Sequence, residues 1–364
     1  MATVVTLKRR RRKVAVLYGA VAADAAPDEQ DVLVEVAVAS RMLTALGYAP
    51  VAVPVTLDLE AARARLIDLR PAFVFNLVES LDGQGRLIHL ALALLDSLGL
   101  PHTGAGHDAM FLTSKKTQAK RLLAAAGLPT APWWEPPADL GGEPGFAGPY
   151  IVKSVWEHAS IGIGDDSITA DPKKLAAICK RRQKRFGGEW FVEKFIDGRE
   201  FNIAVLTGST DGTRGPEVLP LAEMTFVDFP AGKPRIVDYE AKWDEGSFGY
   251  NNTVRRFDFG PEDAGLLASL REISLACWRV FDLAGHVRVD FRVDGAGNPY
   301  VLEVNTNPCL SPDAGFAAAA ARAGLTPEQV MTRILGDLRT VPATRRIGVP
   351  APAQPGTAVT GGAQ

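Results

Sequence analysis

Within the first hundred residues, a short apolar run is followed three times by a segment of helical period. This alternation limits the possible folds more than any other feature of the chain. Val14–Tyr18 is continuously apolar and ends at Gly19; Asp31–Leu46 carries apolar residues at helical spacing and stops at Gly47. Val51–Val55 with Leu57–Leu69, and Ala72–Val78 with Arg86–Leu98 closed by Gly99, repeat the pair. Such alternation predicts a parallel sheet with helices on its faces. Ligands of such sheets bind beyond the carboxyl ends of the strands, here Tyr18–Glu29 and Val78–Gly85.

The pattern then changes. Phe111–Ala126 reads as one helix bearing Lys115, Lys116 and Lys120, and Leu128–Pro137, with Trp133 and Trp134, as a Pro-rich connector and interdomain packing. Tyr150–Ser154 reads as a strand, Pro172–Arg182 as a helix, and Glu189–Ile196 with Glu200–Leu206 as paired strands. Beyond Pro216 a loop, Asp244–Arg255, separates Tyr239–Trp243 from a helix over Pro261–Leu283. The expected units are residues 14–110, 111–208 and 209–340, flanked by a basic leader, 1–13, and a Pro/Gly-rich disordered tail, 349–364.

Forty Lys and Arg against forty-two Asp and Glu leave no global field to draw the chain onto nucleic acid. The run Lys8–Lys13 is read as a solvated leader, and no apolar run reaches the ~20 residues that span a bilayer. Three scattered cysteines argue against a disulfide framework or zinc cluster and for a cytoplasmic chain.

The chemistry concentrates in His286–Pro308. Two β-branched runs flank a turn, Asp294–Asn298, and predict a hairpin. With Asp290 opposite Glu303 and Asp294 opposite Pro299, strand alternation puts Arg288, Asp290, Glu303 and Asn305 on one face. The other face then carries Val287, Val289, Phe291, Leu302 and Val304. Carboxylates and an amide oxygen so grouped call for a hard cation, and the small number of carboxylates suits Mg²⁺ shared with phosphates. Lys153 precedes a small-residue loop, Ala159–Gly164, whose backbone N–H groups can approach phosphate oxygens. The alternation of Phe191–Ile196 offers a strand edge to an adenine. His102, His107 and His158 lack metal-ligand spacing, and no histidine pairs with Cys309 for nucleophilic work.

With these residues in view, the chain resembles an ATP-grasp enzyme of the D-alanine–D-alanine ligase family, from about Val14 to Leu338. The motifs are Pro101–Gly104, Ala126–Pro129, Val192–Phe195, Gly198–Glu200, Tyr239–Lys242, Arg288–Phe291 and Leu302–Thr306, in that order. The resemblance implies a three-part ATP-grasp architecture, α/β and α+β, whose N-terminal domain is parallel α/β. It implies an acyl-phosphate ligase of cell-wall peptidoglycan synthesis that uses ATP and two Mg²⁺ ions, with Mn²⁺ as a substitute. Its partners would be small amino-acid substrates and a second copy in a homodimer.

By the same likeness Lys116, Lys153 and Lys242 match phosphate-contacting lysines. Glu193, Lys194 and Ile196 match the adenine hinge, and Glu200 the ribose contact. Asp290, Glu303 and Asn305 match the metal ligands. Arg288 and the N–H of Cys309, a glycine in the family, match the oxyanion donors, and Glu29 matches the receptor of the first ammonium group. Four departures cluster around the amino acids: Ala159 followed by Ser160, Trp243 for tyrosine or phenylalanine, Ala314 for serine, and Asp82–Gly85 for Gly-Glu-Asp-Gly. They raise a second reading, the same chemistry on another amino-acid or small-peptide pair. A third is a nucleotide-binding protein without catalysis.

Overall fold

A computed structural model describes residues 11–137, 139–208 and 215–340. Residues 1–10, including Lys8–Arg10 of the basic run, and the tail 349–364 lie outside the described residues. The remainder of the run, Arg11–Lys13, is exposed and leads into the first strand.

The N-terminal alternation folds as read. Strand β1 (Lys13–Gly19) leads to helix α1 (Pro27–Ala45), β2 (Ala49–Val55), α2 (Leu59–Leu69), β3 (Val74–Asn76) and α3 (His89–Leu98). The sheet order is β2-β1-β3, and both pairings are parallel. Gly99 closes α3 in the left-handed conformation that glycine adopts without steric cost.

The stretch read as one helix is two, α4 (His107–Ser114) and α5 (Lys116–Ala125). Lys115 is extended between them, with φ −82° and ψ 92°. The break starts a new helix at Lys116 and turns its side chain inward. The Trp-bearing connector contains a strand, β4 (Trp133–Trp134), and is followed by β5 (Tyr150–Ser154), β6 (Ile168–Thr169), α6 (Leu175–Phe186) and β7 (Trp190–Lys194). These strands form a second sheet in the order β4-β7-β5-β6. Trp134 packs against that sheet's own core, beside Tyr150 and Val192.

Next come β8 (Gly198–Leu206), β9 (Glu217–Val218), β10 (Ala222–Phe226), α7 (Tyr239–Trp243), α8 (Phe248–Asn252), β11 (Thr253–Arg256) and α9 (Ala264–Val280). The expected loop Asp244–Arg255 therefore holds a helical turn and most of a strand. The hairpin β12 (His286–Asp294) and β13 (Pro299–Asn305) precedes α10 (Gly315–Arg322) and α11 (Pro327–Leu335). Strand β8 was expected to pair with β7. It instead runs antiparallel to β12 along its full length, in a third sheet of order β11-β10-β8-β12-β13. Alternation along β8 fits either partner, so the choice is made by packing: Phe201 and Ile203 share a dry core with Val287, Val289 and Phe291. Helices α10 and α11 return to the first sheet, where Phe316 and Met331 pack with Val14, Val16 and Leu43.

Candidate active site

The hairpin register is as expected at its functional end. Arg288 faces Asn305 and Asp290 faces Glu303. It then slips by one residue, so that Phe291 faces Val301 and Val293, not Asp294, faces Pro299. This bulge removes Leu302 from the apolar face. Val301 takes the core position, fully buried, and Leu302 lines the cavity beside Ile151 and Ile196.

Two adjoining cavities meet at this hairpin. The first is lined by Lys116, Lys153, Glu193, Lys194, Ile196 and Leu302. The second is lined by Asp31, Trp243, Arg255, Arg288, Asn305 and Ala314. His158, Glu200, Lys242, Asp290 and Glu303 border both. The fold thus brings a basic, apolar-walled cavity and a polar cavity to one carboxylate pair.

Each carboxylate at the junction has a cationic partner: Arg288 for Asp290, Lys116 for Glu303 and Arg292 for Glu200. Arg288 donates Nε to Oδ1 of Asp290 at 2.7 Å and Nη2 to Oδ2 at 2.9 Å. Asn202, opposite Asp290 on β8, adds a third bond at 3.0 Å. Burial disfavours the Arg288 charge, but Asp290 and Glu303 outweigh it and raise its pKa. Burial likewise opposes the Glu303 charge. Lys116, at 3.7 Å, with His158, Lys242 and Arg288, holds this carboxyl well below the usual range. Lys116 also donates to the Glu157 carbonyl at 2.5 Å, which fastens α5 to the loop after β5. Burial lowers Lys116 and Lys242. Burial, with Lys116 next, drops His158 to about 4, so its ring is neutral at pH 7.

In the first cavity Glu193 is buried between Lys153, at 2.7 Å, and Lys120. Burial alone would raise its pKa; the two ammonium groups reverse the direction. Lys120 also donates to Thr130 at 2.7 Å. Arg292 on β12 donates to the Ile196 carbonyl at 3.0 Å and to Glu200 at 3.0 Å, so it braces the strand-to-strand link at the cavity wall. The sequence placed Lys120 on its helix without a role and did not single out Arg292. Arg292 continues the two-residue period of Arg288 and Asp290, and that signal would have found it.

Glu29 and Ser160 do not line the polar cavity. Glu29 is exposed at the start of α1, with its Oε1 near Gly83, and does not line the polar cavity; Asp31 does. Ser160 bonds the Val237 carbonyl at 2.9 Å and lines the first cavity, while its neighbour Ala159 lines the second. Trp243 reaches the Ala159 carbonyl through Nε1 at 3.4 Å.

The Cys309 thiol donates to Asp31 at 3.1 Å and accepts from the Ser311 N–H at 3.3 Å. Burial, with Glu35 next, pushes the thiol up, which suits packing and not nucleophilic attack. His102, packed against Asp96 at 3.4 Å, is a core residue far from any ligand role.

A family model described as D-ala D-ala ligase C-terminus matches residues 141–336. The D-alanine–D-alanine ligase of Anaeromyxobacter sp. (strain Fw109-5) is 31% identical over 331 residues, 89% of this chain and 96% of that protein. The uncharacterized protein y4sG of Sinorhizobium fredii (strain NBRC 101917 / NGR234) is 30% identical over 264 residues, 72% of this chain and 73% of that protein. The crystal structure of the Bacillus anthracis D-alanine–D-alanine ligase complexed with ATP superposes with a TM-score of 0.67 at 20% identity. That match covers 89% of this chain and 96% of the other, and it shows the shared ATP-grasp fold. The chain belongs to the D-alanine–D-alanine ligase family.

Proposed function

We infer that this chain is an ATP-dependent ligase that joins an amino acid's carboxylate to a second amine through an acyl phosphate, with D-alanyl-D-alanine as the default product. One observation carries the reading: the carboxylate pair Asp290–Glu303 stands where a lysine-lined, apolar-walled cavity meets a polar one.

A carboxylate resists amine attack because its oxygen leaves poorly. Transfer of the γ-phosphoryl group to that oxygen makes phosphate the leaving group. In this reading Ile151, Ile196 and Leu302 sandwich the base, Glu193 and Lys194 offer the hinge, and Glu200 receives the ribose. Lys116, Lys153 and Lys242 gather the phosphates. Asp290, Glu303 and Asn305 would hold the divalent ions; their donor atoms are all oxygen, which fits Mg²⁺ or Mn²⁺, and two ions are proposed. When bound, those ions would neutralise charge on the phosphates. Arg288 and the Cys309 N–H would stabilise the oxyanion formed as the amine attacks.

Asp31, on the cavity wall, is better placed than Glu29 to receive the first substrate's ammonium group. Ser160 serves the loop over the phosphates. Closure of that loop and of residues 244–255 would exclude water from the acyl phosphate. Action in the cytoplasm as a homodimer completes the reading.

Trp243, Ala159 and Ala314 on the polar cavity favour a second reading, in which the chemistry is kept and the amino-acid pair differs. Amino-acid-dependent ADP release in the presence of Mg²⁺ tests both. It should disappear in Glu303→Gln with ATP binding retained. Undiminished turnover by that variant would contradict the proposed metal site.

A further inference from the structure

Five polar side chains border both cavities, and four of them have a task. Arg292 holds Glu200, Arg288 holds Asp290, and Lys116 stands beside Glu303. Lys242 is the fourth, a cation for the phosphates. His158 is left over. Among the described residues neither of its ring nitrogens has a hydrogen-bond partner, and the proposed mechanism gives it nothing to do.

The backbone around this free ring is tied down. Glu157 accepts from Lys116 through its carbonyl at 2.5 Å and from the Gly85 N–H through its carboxylate at 3.3 Å. The His158 carbonyl accepts the Ile161 N–H at 3.1 Å, and Ser160 bonds the Val237 carbonyl at 2.9 Å. Ala159 and Ser160 follow at φ +56° and +60°, left-handed values that cost a non-glycine residue about 1–3 kcal/mol each. Gly85 leaves room for the turn: a Cβ there would stand 3.0 Å from the Trp156 carbonyl oxygen and 3.7 Å from the His158 ring. Burial, then Lys116, keeps the ring neutral; Lys242 and Arg288 add to this and Glu303 opposes it. An anchored, strained turn therefore presents an unbonded imidazole, ringed by three cations, where the two cavities meet.

We propose that His158 is a further catalytic residue, whose ring N–H donates to an oxygen of the phosphoryl group as that group crosses from the first cavity to the second. The inference rests on the ligase reading. In that step the bond from the γ-phosphorus to the bridging oxygen breaks, and its electron pair stays on ADP. A bond forms from the phosphorus to a substrate carboxylate oxygen. The imidazole keeps its proton throughout and acts as a fixed dipole. Ionised Glu200, Asp290 and Glu303 only accept hydrogen bonds, so of the five only Lys242 and His158 can donate to a phosphoryl oxygen. Because the ring stands between the cavities, its bond forms in transit and not to resting ATP, so it serves kcat and not ATP binding.

Hydroxylamine reads this step, because it captures an acyl phosphate as a hydroxamate. With D- or L-alanine as donor, His158→Leu keeps the bulk and removes the N–H. It should lower kcat for hydroxamate roughly 10- to 100-fold and leave the KM for ATP little changed. His158→Asn, whose amide restores a donor, should recover part of the loss. Unchanged kcat in His158→Leu, or a rise in KM alone, would make His158 a mere wall of the cavity and overturn the proposal. An Asn variant as impaired as the Leu variant would do the same.

Binding of a transition-state mimic judges His158 without turnover. With ADP, Mg²⁺ and aluminium fluoride, which imitates a phosphoryl group in flight, the wild type should bind about tenfold or more tighter than His158→Leu. ADP and Mg²⁺ alone should bind both alike. Equal binding of the fluoride complex by the two chains would overturn the role of His158. No hydroxamate from the wild type with either alanine, together with tighter binding of the fluoride complex, would overturn the ligase reading and leave the phosphoryl contact standing.

Discussion

Arg288 clasps Asp290 through both carboxylate oxygens, at 2.7 and 2.9 Å, two residues away on the same strand face. The arginine neutralises a carboxylate that the proposed mechanism needs as a metal ligand. Ion binding therefore competes with the guanidinium. Arg288→Ala should tighten Mn²⁺ binding to the nucleotide-free chain, as read by calorimetry. Ligation should fall by about 10²–10³-fold, as expected when an oxyanion donor is lost. Unchanged metal affinity would show that Asp290 is not a ligand.

Glu193 is almost wholly buried between two lysines, and Lys120 is buried with it. Removing one partner of an isolated buried pair costs about 3–5 kcal/mol. Lys153 stays bonded to Glu193, so Lys120→Met should lower the unfolding free energy by less than that, about 1–3 kcal/mol, in a denaturant titration. Loss of only a few tenths of a kcal/mol would mean the pair is solvated in solution.

Gly198 enters β8 with φ +152°, and a Cβ there would stand 2.0 Å from the Val293 carbonyl oxygen. The contact is backbone against backbone, so no side chain can move aside. Gly198→Ala should cost about 2–4 kcal/mol and should weaken ATP binding through Glu200, two residues on. Calorimetric melting and nucleotide titration read the two effects.

Burial, with the Asp31 carboxylate adding to it, raises Glu35 from 4.5 to about 7, against the opposing Leu310 N–H and Cys309 thiol. The fold therefore favours the protonated form. That stabilisation is complete below pH ~4.5 and is lost as pH rises through about 7. Melting temperatures of wild type and Glu35→Gln should diverge between these limits, the variant being less sensitive. The difference should amount to about 3 kcal/mol at most. Parallel profiles would place the titration elsewhere.

The parts of the site legible in the sequence were those fixed by local period. Arg288, Asp290, Glu303 and Asn305 share a face because a strand alternates, and the turn at Asp294–Asn298 sets their register. The bulge at Leu302 was not legible, since a single extra residue is chosen by what packs behind Val301. The pairing of β8 was hidden for a related reason: its alternation suits either neighbour, and only the shared core with β12 decides. Asp31 lines the polar cavity and Glu29 does not, a difference that motif matching on a helix does not resolve. At about 100° per residue, a shift of two positions turns a side chain to nearly the opposite face. The break at Lys115 lies between two good helical periods, and composition does not mark it.

The most direct test of the central claim is product analysis. The chain would be incubated with ATP, Mg²⁺ and single or paired D- and L-amino acids, with phosphate release and mass spectrometry read together. The account predicts stoichiometric ADP, phosphate and a dipeptide, D-alanyl-D-alanine from D-alanine alone or another dipeptide if the altered cavity has changed the pair. ATP bound but never hydrolysed in an amino-acid-dependent way, with no condensed product from any pair, would contradict it.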